Sequence, residues 1–164
     1  YAWSAPYRRA RILAFLHPES DPLGSGYQAL QSLIAVGTGG VTGLGLGDGK
    51  QKLFFLPDPY TDFIYAIVGE ELGLLGCAGV LALFGLLFAR GMRAAVNAPD
   101  AFGRLLGVGL AVMIAVQALV NVSVVLALLP TKGIPLPFLS YGGSALWADL
   151  LAVGILLNVS QHAP

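Results

Sequence analysis

Charge is what this chain has least of. Only 11% of its 164 residues are Asp, Glu, Lys or Arg, against roughly 25% in soluble domains. Hydrophobic residues make up 56%, and the mean hydropathy is +0.76. Such a chain would aggregate in water, so a bilayer is its natural solvent. Nine basic and nine acidic residues cancel, which leaves no basic face for nucleic acid. The single cysteine, Cys77, excludes a disulfide framework and a cysteine metal site. It reads as a small core or lipid-facing residue. His17 and His162 are isolated and take no role. The sequence starts at Tyr1 without a recognisable secretory leader pattern, and the expectation is a fragment of a larger polytopic protein.

What the chain does have is long apolar runs. They predict an all-α integral membrane fold with about three transmembrane helices, at 63–89, 105–129 and 144–160, making up residues 62–164. Residues 1–61 form a large extracytoplasmic loop containing a short interfacial or re-entrant helix. The uninterrupted stretch 72–89 has 18 residues, about 27 Å of helix and nearly the thickness of a bilayer core. Backbone polar groups in lipid must be satisfied internally, which makes helices the reasonable choice. Arg90, Arg93 and Arg104 flank the first inter-span loop, and the second holds only Lys132. The excess of Arg places the first loop in the cytoplasm. Asp62 and the Lys132 loop then share the outer face.

The N-terminal arm is patterned. Residues 27–36, YQALQSLIAV, space their apolar positions for a helix. After them comes GTGGVTGLGLGDGK, with seven glycines between Gly37 and Gly49. A phosphate-binding P-loop is excluded, because position 44 is Leu and Gly49-Lys50 is followed by Gln51. The dinucleotide fingerprint needs a strand where a helix is predicted. Two readings stay open: a tight turn at the membrane surface, or backbone amides that approach a phosphate. Asp58-Pro59 reads as a helix cap with Pro at the first helical position, which sets Asp62 in the first turn of span one.

Asp62 is the prime candidate site residue. A carboxylate at a helix start can simply complement the dipole, for about 0.3–1 kcal/mol. It can also act as a general base, since partial burial raises a carboxylate's proton affinity. Glu70 and Glu71 lie about 12 Å further along the helix, where acids are costly and mark either function or pairing with cations. Lys50, Lys52 and Lys132 suit a phosphate as point charges, or they snorkel at the interface. Asp149 lies in the third span. It would cost roughly 2.5–3.5 kcal/mol facing lipid, so it should face a partner or a cavity. Gln117 and Asn121, at i and i+4, read as hydrogen-bonding glue between helices.

Three stretches carry a specific resemblance. They are DPLGSGYQALQSLIAVGTGG, GLGLGDGKQKLFFLPDPYTDFIYAIVGEELG and LLPTKGIPLPFLSYGGSALWADLLAVGILLNVS. Together they resemble the C-terminal part of the SEDS family (shape, elongation, division and sporulation) over nearly the whole chain. Gln51-Lys52 favours the cell-division branch, FtsW and its sporulation relative, over RodA. The resemblance implies the last three of roughly ten membrane helices and the outer loop before them. It also implies a peptidoglycan glycosyltransferase of the bacterial inner membrane that polymerises lipid II. Expected partners are a class B penicillin-binding protein transpeptidase, other division proteins and membrane lipids. A divalent cation, Mg or Mn, is expected as cofactor. Asp62 maps onto the essential Asp of the TDF motif, as catalytic residue and metal ligand. Candidate substrate contacts are Lys50, Lys52, Lys132, Glu70, Ser140 and Gly142.

The sequence departs from the family pattern at three positions. Tyr60 replaces the usual His, Asp58 the usual Glu, and Asp149 the usual Asn. Without the upstream helices the groove lacks walls, and the fragment alone is expected to be inactive. Two rival readings are a lipid II flippase, which also uses intramembrane acids and broken helices, and a noncatalytic scaffold that recruits a transpeptidase.

Overall fold

A computed structural model of the protein describes residues 25–50, 60–130 and 133–162. The Asp58-Pro59 cap lies outside them. Among the described residues there are four helices: α1 Ser25–Gly39, α2 Ile64–Val96, α3 Ala101–Val125 and α4 Gly143–Gln161. The last three are long and apolar enough to cross a membrane. They are connected up, down and up. The turn between α2 and α3 and the end of α4 therefore lie at one end of the bundle. Asp62, the end of α3 and the start of α4 lie at the other.

Small residues bring α2 and α3 together. A side chain added at Gly107 would meet Ala95, and one added at Gly91 would meet Ala111. Close backbone approach of this kind is how membrane helices associate, because lipid supplies no hydrophobic drive between them. The turn joining them is capped by Asp100, whose carboxylate accepts a hydrogen bond from the Gly103 N–H at 2.7 Å. At its other end α3 closes with Ala127 at φ 52. The Ala127 N–H reaches the Val124 carbonyl, and the Leu128 N–H reaches that of Ser123. This is the left-handed helix stop usually given to glycine. The next orphan carbonyl, that of Val125, accepts from Ser32 Oγ of α1 at 2.9 Å, which ties the outer helix to the bundle.

Asp62 does not lie in the first helical turn. It sits in the turn before α2, whose N-cap is Phe63 and whose first turn holds no acidic residue. More consequential, α2 is broken at Gly73, with φ 65 and ψ −160. Such a break inside an apolar segment strands N–H and C=O groups that nothing in lipid can satisfy. The glycine loop resolves it. Leu44 N–H and Gly45 N–H donate to the Glu70 and Glu71 carbonyls, at 3.0 and 3.1 Å. In return Leu74 N–H and Leu75 N–H donate to the Gly40 and Val41 carbonyls, at 2.9 and 3.2 Å. Four reciprocal bonds splice the loop into the helix. The approach is so close that a Cβ at Gly43 would collide with the Glu71 carbonyl, and one at Gly73 with Gly43 N and Val41 O. Of the two readings of the glycine run, the described backbone is therefore a tight turn, and its function is to mend a helix.

Gly73→Ala is expected to lower the stability of the intact protein by about 1–3 kcal/mol, because that backbone region is essentially reserved for glycine. Gly79→Ala, at a site with open space around it, should be neutral or raise stability by about 0.5–1 kcal/mol. Thermal unfolding of both variants in detergent checks the contrast.

Candidate functional site

Two loops meet beside Asp62. One is the turn 60–62 that leads into α2, and the other is the segment 133–142 that leads into α4. The second loop is held internally by Ser140. Its hydroxyl accepts from the Leu136 N–H at 2.7 Å, and its own N–H donates to the Leu136 carbonyl at 3.1 Å. Within that ring the Leu139 N–H reaches the Pro137 carbonyl at 2.8 Å across Phe138, whose φ is 64. This is a tight three-residue turn of the strained kind. The Phe138 N–H lies against Asp149, which is buried in α4. The acid in the third span thus faces a backbone donor of the loop. It serves the loop's shape at the position where the family resemblance has Asn.

The loops are joined to each other by three links. Asn121 of α3 donates from Nδ2 to the Asp62 carbonyl at 2.9 Å and to the Ile134 carbonyl at 2.8 Å. The Tyr141 N–H donates to the Tyr60 carbonyl at 2.8 Å. Gly133 lies so close that an added Cβ would stand 3.2 Å from Asp62 Oδ2. One turn earlier on α3, Gln117 donates to the Pro135 carbonyl at 3.1 Å. Gln117 and Asn121 therefore bind loop carbonyls rather than another helix, contrary to the interhelical reading. Tyr60, where the resemblance has His, makes its link through the main chain and keeps its ring half exposed. Asp62 itself is half-buried.

The other candidate residues fall elsewhere. Glu70 is buried, 2% exposed, and its Oε1 accepts from the Lys50 N–H at 2.8 Å. An added Cβ at Gly49 would lie 2.9 Å from Glu70 Oε2 and 3.0 Å from Glu71 Oε1. The acid pair thus lines the end of the glycine loop, two turns along α2 from Asp62, and the Lys50 side chain is exposed. Ser140 is engaged in shaping its own loop. Gly142 is the N-cap of α4, which has no side-chain cap there. Lys52 and Lys132 lie outside the described residues. Among the described residues no group of three or more His, Cys, Asp or Glu side chains could hold a metal ion. Asp62 is a described carboxylate that could contribute one oxygen ligand to a divalent cation at this site.

The sequence reading missed Asn121, Gly133 and the Tyr60–Tyr141 link. The polar pair Gln117 and Asn121, on one face of an otherwise apolar span, was the available signal for the first. The other two act through the backbone and leave little trace in residue type.

The family model described as "cell cycle protein", covering FtsW, RodA and SpoVE, matches residues 1–164. Stage V sporulation protein E of Bacillus subtilis is 56% identical over 160 residues, which is 98% of this chain and 44% of that protein. A probable peptidoglycan glycosyltransferase FtsW of Geobacter metallireducens is 57% identical over 156 residues, 95% of this chain and 42% of that protein. A solved chain from work on the structural coordination of polymerization and crosslinking by a peptidoglycan synthase complex superposes with a TM-score of 0.74 at 39% identity. It covers 96% of this chain and 43% of its own length. The chain thus spans less than half the length of the relatives it matches.

Glu70→Ala is expected to cost the intact protein about 1.5–3 kcal/mol of stability, the range for a lost hydrogen bond to a charged group. Glu70→Gln, which keeps an acceptor, should cost less. Thermal unfolding reads both. Unchanged stability in Glu70→Ala together with lost activity would move Glu70 from loop closure to substrate contact.

Proposed function

The chain belongs to the FtsW/RodA/SpoVE family, and on that footing we propose that it is the C-terminal part of a peptidoglycan glycosyltransferase that polymerises lipid II at the outer face of the bacterial inner membrane during cell division. The observation that carries this reading is the setting of Asp62. A half-buried carboxylate stands at the end of a membrane span, where two loops converge on it and a glycine at position 133 leaves room beside it. That is where a substrate with its lipid tail in the bilayer would present its sugars.

In the proposed reaction the acceptor's sugar 4-hydroxyl approaches the Asp62 carboxylate. Asp62 takes the hydroxyl proton as the oxygen attacks the anomeric carbon of the donor. The bond between that carbon and the pyrophosphate oxygen breaks, and undecaprenyl pyrophosphate leaves with the electron pair. The uncapped start of α4 at Gly142 points backbone N–H groups toward this end of the bundle, which favours an anion there. Lys50, Lys52 and Lys132 are proposed to supply further positive charge to the leaving group. A divalent cation, if bound by Asp62 and the substrate phosphates, would neutralise charge on the pyrophosphate. A class B penicillin-binding protein is the proposed partner. The relative solved in a synthase complex supports that assignment.

The test uses the full-length protein in detergent or vesicles with lipid II and Mg²⁺ or Mn²⁺. Asp62→Asn should reduce glycan-strand formation by about 10²-fold or more while thermal stability changes little. Strand formation at the wild-type rate in Asp62→Asn would contradict the proposal. Transbilayer movement of lipid II without any polymer, from the wild-type protein, would favour a flippase instead.

A further inference from the structure

We propose that Asn121 is the positioning residue for Asp62, a single side chain that fixes the two loops whose meeting point sets where the Asp62 carboxylate stands. The proposal rests on the reading of Asp62 as the base given above. It begins from the bonding of one buried amide. Asn121 is 1% exposed, deep in α3. Its Nδ2 spends both hydrogens on main-chain carbonyls from separate loops, Asp62 O and Ile134 O. Its Oδ1 has no hydrogen-bond partner among the described residues. The amide orientation is not arbitrary, because two carbonyl acceptors demand the donor end. A buried acceptor without a partner is unfavourable. The fold tolerates it here to keep Nδ2 on both loops.

The position of those two carbonyls gives the clamp its consequence. One belongs to Asp62 itself. The other belongs to Ile134, the neighbour of Gly133, whose Cα faces Asp62 Oδ2. Losing the Nδ2 bonds would loosen the turn that carries the base and the wall beside it together, with the Tyr141–Tyr60 main-chain link still in place. Helix glue would connect α3 to another helix, whereas among the described residues Asn121 hydrogen-bonds to loop carbonyls. Gln117 extends the same ladder to Pro135 O. It touches only the far side of the second loop, so it supports that loop without fixing Asp62.

Two variants of the full-length protein test the clamp. Asn121→Asp keeps the shape and sets a carboxylate against two carbonyls. Asn121→Leu is near in size and removes the donors without introducing charge, so it keeps the test open if the Asp variant does not fold. The expected result is a fall in kcat of about 10- to 100-fold with KM for lipid II within about threefold, as misplacement of a reacting group by around an ångström produces. Hydrogen–deuterium exchange should rise in the turn 60–63 and in the loop 133–136 together, with the body of α3 unchanged. Wild-type kcat per folded molecule in Asn121→Leu, or exchange rising in only one loop, would overturn the clamp. Asp62→Asn, run beside them, separates the two ideas. If it is inactive while Asn121→Leu is normal, positioning alone falls. If it is active, the assignment of the base falls, and the exchange measurement still decides whether Asn121 holds the loops.

Discussion

A backbone amide in oil has no water to turn to, and that constraint accounts for most of what is unusual in this fold. Where α2 breaks at Gly73, the glycine loop returns four hydrogen bonds to the exposed helix ends. At the end of α3, Ser32 takes the last free carbonyl. Inside the loop before α4, Asp149 lies against the Phe138 N–H. In each of these cases a polar residue or break in an apolar segment is matched to a specific main-chain group. The outer loop, the spans and the approach to Asp62 are therefore one connected structure.

That connectivity shapes the candidate site. Beyond the break at Gly73 the stretch 74–96 runs on as a helix of about 35 Å. The short segment before it, 64–72, starts just after the turn that holds Asp62. The glycine loop that mends the break carries Gly49 and Lys50 against Glu70 and Glu71. The acid pair thereby belongs to the splice rather than to the reacting centre.

Much of the architecture was legible in the sequence. Apolar runs of sufficient length gave the three spans, and helical spacing over 27–36 gave α1. The argument that Asp149 needs a partner was sound, because an acid within a span has few tolerable settings. The splice at Gly73 was not legible. It is made entirely of main-chain atoms, and a glycine in a membrane helix looks the same whether the helix bends, breaks or merely packs closely. Glycines at 43 and 73 are its only trace in residue type. Asn121 was misread for a related reason. An amide in a span signals a hydrogen bond, but residue type cannot say whether the acceptor lies on a helix or on a loop. Asp62 stood out by type and place, yet its seat before the helix depended on where α2 begins, the least certain feature of any helix read from sequence.

The account comes down to where Asp62 stands relative to a bound sugar. The most direct measurement is a structure of the full-length protein with lipid II, or a non-reacting analogue of it, in place. The account predicts the acceptor 4-hydroxyl within about 2.6–3.2 Å of an Asp62 carboxylate oxygen, the reach needed for proton transfer, with the Asn121 amide still on the Asp62 and Ile134 carbonyls. A hydroxyl held by another residue, with the Asp62 carboxylate turned away from the reacting sugars, would contradict it.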